Sequence, residues 1–182
     1  MGRRPARTVR DMDKVAYTRF SRNKPRKSYI KAMPHRHLHI FDMGNDKGNF
    51  NTEINIVAER DVIIRDCAIE AARVAINKVL EKALPEKYFF KVLKYPFHVI
   101  RENKMIAGAG ADRLSKGMRR SFGRTTDVAA RIKENDSLFL IKTDYENLEI
   151  VKRAAKLGIN KLGGMFRIKV EKHAEQKAVE TN

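Results

Sequence analysis

Ser137-Leu-Phe-Leu-Ile-Lys-Thr143, followed after Asp144 by Leu148-Glu-Ile-Val-Lys-Arg-Ala-Ala-Lys-Leu-Gly158, is the stretch that decides the fold. Leu138, Phe139, Leu140 and Ile141 are consecutive, so a strand here is apolar on both faces and belongs in the middle of a sheet. Leu148, Val151 and Ala155, with Ile150, Ala154 and Leu157, form the buried stripe of a helix. Asp144 is placed to cap that helix and Gly158 to end it.

Outward from this stretch the chain keeps alternating short strands with helical spacing. Gly163-Gly164 reads as a turn, and Met165 to Val170 as a last strand with Phe166, Ile168 and Val170 on one face. A polar tail begins at Glu171. Upstream, Glu134-Asn135-Asp136 separates Val128–Lys133 from 137–143, which predicts a hairpin. Tyr88–Tyr95 and Phe97–Arg101 are strand candidates interrupted by Pro96. A helix with Ile69, Ala72, Ile76, Val79, Leu80 and Ala83 on one face starts at Asp66, its expected cap, and stops before Pro85. Thr52–Glu59 alternates as a half-buried strand, and residues 37–43 make a short strand before the turn cluster 44–48. The expected architecture is α+β, a mostly antiparallel sheet with two helices.

Two segments do not belong to this scaffold. Residues 1–40 hold 12 Lys and Arg against 2 acids, and residues 96–133 hold 9 against 3. Residues 41–95 are balanced at 9 against 9, and 134–182 nearly so at 9 against 8. The net charge of +17 therefore sits almost wholly in two places. That distribution is the footprint of a nucleic-acid binder, because a merely soluble surface spreads its lysines. In the second segment Gly108, Gly110, Gly117 and Gly123 fall within sixteen positions among Lys104, Arg113, Lys116, Arg119, Arg120 and Arg124. Such a run buries little surface of its own. It reads as a flexible basic finger, mobile over Ala107–Lys116 until a polyanion orders it.

A charge run is most often a solvated face. In residues 1–40, however, Tyr17, Phe20 and Tyr29 are interleaved with Arg-rich clusters, which favours RNA contact. Those three aromatics and Phe122 are candidate stacking residues, each equally able to pack on protein. The candidate RNA-binding residues are Arg3, Arg4, Arg7, Arg10, Arg22, Lys24, Arg26, Lys27 and Arg36 in the first segment, and Arg101, Lys104, Arg113, Lys116, Arg119, Arg120 and Arg124 in the second.

Other chemistry finds little support. Gly108-Ala-Gly110-Ala-Asp112 lacks the third glycine and the strand-turn-helix setting of a dinucleotide loop. His35, His37 and His39 alternate and would share one face of a strand, but no further ligands complete a metal set, and phosphate contact suits them better. Cys67, the only cysteine, excludes an internal disulfide and reads as a packing residue. His98 between Phe97 and Val99 has no nucleophile or carboxylate beside it and reads as packed or RNA-contacting. No cofactor or metal is expected. The chain lacks an apolar signal core and a membrane-length apolar run, so a soluble, cytoplasmic protein is expected.

Several blocks carry a family resemblance: Met-Gly-Arg-Arg-Pro-Ala-Arg at 1–7, Ala71-Ala72-Arg73, Pro96-Phe-His-Val-Ile-Arg101, Ala109-Gly-Ala-Asp-Arg-Leu114 and Gly117-Met-Arg. Together they resemble the archaeal and eukaryal "L-ten-e" large-subunit ribosomal proteins, relatives of bacterial "L-sixteen", with the archaeal branch favoured. The resemblance implies an α/β-hammerhead-type fold and a structural, non-enzymatic role on the ribosome. It also implies contact with large-subunit rRNA near the aminoacyl-tRNA site, with tRNA and with neighbouring ribosomal proteins. The loop from about Asn103 to Lys116 would point toward the peptidyl transferase centre. One domain is expected over 1–182: a basic extension at 1–40, a core at 41–170 with the basic loop 103–124, and a tail at 171–182. The alternatives are an RNA-modifying or RNA-processing enzyme, which would need a cofactor pocket or paired acid and base, and a DNA-packing protein.

Overall fold

The structure is a computed structural model and describes residues 33–102, Gly108 and 124–172. The expectations for the rest of the basic extension, for the finger and for the tail beyond Lys172 lie outside the described residues. Eight strands and two α-helices are described: β1 (Asp42–Gly44), β2 (Thr52–Ala58), β3 (Val62–Arg65), α1 (Asp66–Ala83), β4 (Tyr88–Val92), β5 (His98–Glu102), β6 (Arg124–Ile132), β7 (Ser137–Thr143), α2 (Leu148–Ile159) and β8 (Phe166–Lys172). They form a five-stranded sheet in the order β1-β4-β7-β2-β8 and a three-stranded sheet in the order β3-β6-β5. Every pairing is antiparallel. The expected α+β class and the two helices are therefore what the chain forms.

β7 takes the middle of the larger sheet, as its apolar run requires, with Leu138, Phe139 and Ile141 fully buried. Phe90 on β4 meets Phe139 with ring centroids 5.4 Å apart. The inner face of this sheet, both helices and the inner face of the smaller sheet (Val62, Ile64, Ala130, Ile132) share one core. The two helices touch where Gly158 faces Ile76. A Cβ on Gly158 would lie 2.5 Å from both Cγ1 and Cδ1 of Ile76, so glycine is what lets the helices approach. Gly158 is thus a packing residue inside α2 rather than its end, because the helix runs on to Ile159. Asp144 makes no side-chain cap either. A 3₁₀ turn at Tyr145–Asn147 stands between it and α2.

The expected hairpin of 128–133 with 137–143 does not form. β7 is flanked on both sides by β2 and β4, so it has no edge left for β6. β6 instead pairs with β3 and β5. The Glu134–Asp136 turn carries the chain from one sheet to the other and is tied to β2. Asn135 N donates to Ala58 O at 2.9 Å, and Ala58 N to Asp136 O at 3.0 Å. Asn135 adopts φ +64°, the left-handed conformation that asparagine tolerates. β3 has only four residues between Asp61 and α1, too few for an alternation signal. β1 is shorter than the expected 37–43 and lies later, because only Asp42–Gly44 pairs with β4. Gly44 closes β1 at φ +82°, and a Cβ there would come 2.3 Å from Tyr88 O.

Candidate nucleic-acid interface

Of the candidate residues, Arg36, Arg101 and Arg124 fall on described backbone, and the other thirteen lie outside the described residues. The structure fixes where the two basic segments join the body. β5 and β6 are paired out to Glu102↔Arg124, so residues 103–123 leave and return at one register position. Arg101 and Arg124 flank that root. Arg101 is half-buried, sits opposite Thr125 and follows a break in register between Ile100 and Arg101.

The other root is the run 33–41. Asp66, at the start of α1 and 1% exposed, accepts the His37 backbone amide at 2.8 Å and pairs with His37 Nδ1 at 3.0 Å. Its second oxygen accepts the Cys67 amide at 2.7 Å. Asp66 is the first residue inside α1 rather than its expected cap, since Arg65 takes the cap position without a side-chain hydrogen bond, and its carboxylate instead moors the end of the basic extension. Leu38 follows and enters the core at 2% exposure. The alternating histidines do gather: the His35 ring lies 5.4 Å from His37 and 5.7 Å from His39. Among the described residues, no group of three His, Cys, Asp or Glu is placed to hold a metal.

Arg36 points to a different neighbour. Its guanidinium lies 4.9 Å from the ring centroid of Tyr95, and Nη1 donates to the Tyr95 hydroxyl. Tyr95 in turn stacks on Phe41 at 5.5 Å with 24° between the rings. Sequence reasoning missed Tyr95. It was assigned to a strand because aromatics before Pro96 look like sheet residues, whereas β4 ends at Val92. The usable signal was Pro96, which has no N–H to donate to a ladder and so marks a strand exit with an aromatic just before it.

The remaining surface separates into a neutral face and a basic one. On the outer face of the large sheet, Lys91 pairs with Asp42 at 3.2 Å, Lys142 with Glu53 at 2.7 Å, and Lys169 with Glu171 at 2.6 Å. These exposed pairs add little stability, but they cancel charge, so the broadest flat surface is a poor polyanion platform. On α2, Lys152, Arg153 and Lys156 are all exposed on one side with a single exposed acid, Glu149, and Lys161 follows just beyond. Counting charge by segment averages this stripe against nearby acids and hides it.

Two other candidates resolve as structural. His98 is 1% exposed on β5. Burial, and secondarily the positive charge of Arg131, lower its pKa from 6.5 to about 4, so the ring is neutral and packed. Arg73, from the Ala71-Ala72-Arg73 block, is buried. Its Nε donates to Glu70 Oε2 at 2.8 Å and Nη1 to Met43 Sδ at 3.1 Å. The Glu70 hydrogen bond raises its pKa.

A family profile described as ribosomal protein L16p/L10e matches residues 16–169. The chain belongs to that family. Among its relatives, a Thermofilum pendens protein is 42% identical over 169 residues, covering 92% of this chain and 96% of that protein. One from Methanospirillum hungatei is 38% identical over 176 residues, covering 96% and 99%. One from Thermoplasma acidophilum is 38% identical over 173 residues, covering 94% of each chain. All three are named large ribosomal subunit protein uL16. L16p/L10e membership agrees with the resemblance carried by the sequence blocks and with its archaeal branch. The family is one of structural ribosomal proteins, so the enzyme alternative falls away.

Proposed function

We propose that this L16p/L10e chain is a structural constituent of the large ribosomal subunit that binds its rRNA near the aminoacyl-tRNA site and helps position tRNA. It works in the cytoplasm, as part of the ribosome and beside neighbouring large-subunit proteins. Residues 1–40 and the loop 103–124 are the rRNA-facing arms, and the α+β core at 41–170 is the body that holds them. The loop is directed toward the peptidyl transferase centre.

The observation that carries this reading is the rooting of both cation-rich segments. Each is fixed to the body at a defined point, one by the contact of His37 with buried Asp66 and the other by the Glu102↔Arg124 pairing. The large sheet face, meanwhile, has its lysines neutralised. Arms delivered from rigid anchors neutralise phosphates and release counterions. The deep, narrow A-form major groove excludes side chains, so recognition proceeds through shape, backbone, 2′-hydroxyl groups and unpaired bases.

Sucrose-gradient fractionation of cell extract tests the reading. The wild-type chain should co-sediment with large subunits. A variant carrying Arg119→Glu and Arg120→Glu should enter them less and show a salt slope for rRNA binding shallower by about one to two. A double variant that incorporates and binds tRNA-loaded subunits like wild type would remove those two arginines from the interface.

A further inference from the structure

Four strands end a sheet: β1 and β8 the larger one, β3 and β5 the smaller. Folded proteins blunt such edges, because a free row of N–H and C=O groups invites another chain to pair with it. Three of the four are blunted here. β1 has three residues, β3 has four, and β5 is broken in register between Ile100 and Arg101. β8 is different. Its seven residues run opposite β2 from Thr52↔Lys172 to Ala58↔Phe166 without a shift in register, and it contains no proline.

The hydrogen bonds fix which backbone groups face the open side. Glu59 N donates to Met165 O at 3.0 Å, whereas Ala58 turns both its backbone groups the other way, donating to Asp136 O and accepting from Asn135 N. Ala58 therefore gives nothing to Phe166, its partner across the ladder. Because pairs alternate along an antiparallel ladder, Arg167, Lys169 and Glu171 bond to β2, and the N–H and C=O groups of Phe166, Ile168 and Val170 point away from it. Among the described residues, no strand lies beyond them. The side chains of the same three residues pack on the core side and are only half-buried, so the core is left open along this edge.

We propose that the free edge of β8 takes an extended segment of a neighbouring large-subunit protein as an added antiparallel strand. The inference rests on the ribosomal reading above for the class of its partner. The side chains set what that segment must carry. On the outer face Lys169 pairs with Glu171 at 2.6 Å, but Arg167 donates to the neutral Asn135, also at 2.6 Å. In the added ladder Arg167 and Lys169 fall at the closely spaced, non-hydrogen-bonded positions, about 4.5 Å between Cα atoms. The segment that fits has an acidic residue opposite Arg167 and apolar residues at the alternate positions, which extend the row of Phe166, Ile168 and Val170. A second copy of this chain does not fit. Full overlap of two β8 strands about Ile168 sets Arg167 against Lys169 twice, and like charges directly opposite repel. The two cations thus leave the edge open to an acidic strand and closed to itself.

Hydrogen–deuterium exchange resolved to single amides tests this, on the full-length free chain and on the same chain within purified large subunits. In the free chain the amides of Ile168 and Val170 should exchange at least about tenfold faster than those of Arg167 and Lys169, and in the subunit they should become as slow. Carbodiimide, which joins an amine directly to a carboxylate, should link position 167 of an Arg167→Lys variant in the subunit to an Asp or Glu of another protein. Ile168→Ala and Ile168→Pro both remove the isoleucine packing, but only proline removes the outward N–H. Ile168→Pro should lose the protection of Val170 in the subunit, and Ile168→Ala should keep it. Thermal unfolding of both checks that β8 still forms. Fast exchange of Ile168 and Val170 in wild-type subunits would overturn the proposal. So would slow exchange with no protein cross-link, which would put RNA over the edge. Slow exchange in the free chain that vanishes in a chain ending at Lys172 would also overturn it, since residues 173–182 would then fill the edge. Each of these outcomes leaves co-sedimentation with large subunits intact, whereas a wild-type chain that does not sediment with them would overturn both the proposal and the reading beneath it.

Discussion

At the scale of single residues, burial decides which polar groups serve the body and which face a ligand. His98 is buried in a site that favours the uncharged ring, with a pKa near 4 against 6.5 in an open chain. As pH falls from 6.5 to 4, the unfolded chain takes up a proton that the folded protein refuses, so stability falls through that window and is unaffected by this group above it. The full effect is about 3 kcal/mol at most. We expect His98→Gln to flatten the dependence of unfolding free energy on pH between 6.5 and 5, before the carboxylates dominate, as read by urea unfolding at each pH. An unchanged slope would mean that His98 titrates normally. The neutral fate of His98 was half-legible in the sequence, which placed it between two apolar residues. That Asp66 would reach back to His37 was not legible, because the contact spans twenty-nine positions and depends on how the chain re-enters the body. Arg36 was visible as a cation, but only the fold reveals that it donates to the Tyr95 hydroxyl.

At the scale of elements, the periodic segments were readable and the partnerships were not. The helical stripes gave α1 and α2, and the unbroken apolar run gave β7 its central place. The hairpin expectation failed because sequence proximity is a good guide to pairing only when an edge is free. β7 has both edges filled by β2 and β4. Gly158 was misread for a similar reason. A glycine near a helix end looks like a terminator, and only the facing Ile76 shows that it is a notch. Gly158→Ala tests that account. Alanine favours helix by up to about 1 kcal/mol, but overpacking against a fully buried isoleucine costs about 1–3 kcal/mol. We expect a net loss of about 1 kcal/mol and a lower Tm. A higher Tm would indicate that Ile76 moves aside freely and that the helix crossing does not require glycine.

At the scale of the whole molecule, charge is partitioned. Excess cations lie in the two arms and along the outer face of α2, while the large sheet face balances its own lysines with acids. The composition already separated arms from body, since segment counts are insensitive to folding. It could not find the roots of the arms or the α2 stripe, because both depend on three-dimensional neighbours. The central claim is that the arms and their roots, not the flat sheet, hold rRNA. Ultraviolet cross-linking of purified large subunits, with the cross-linked peptides of this chain identified by mass spectrometry, tests it most directly. The account predicts cross-links in residues 1–40 and 103–124, and few or none at Lys91, Lys142 or Lys169. Cross-links concentrated on those three lysines, with the two arms unlabelled, would contradict it.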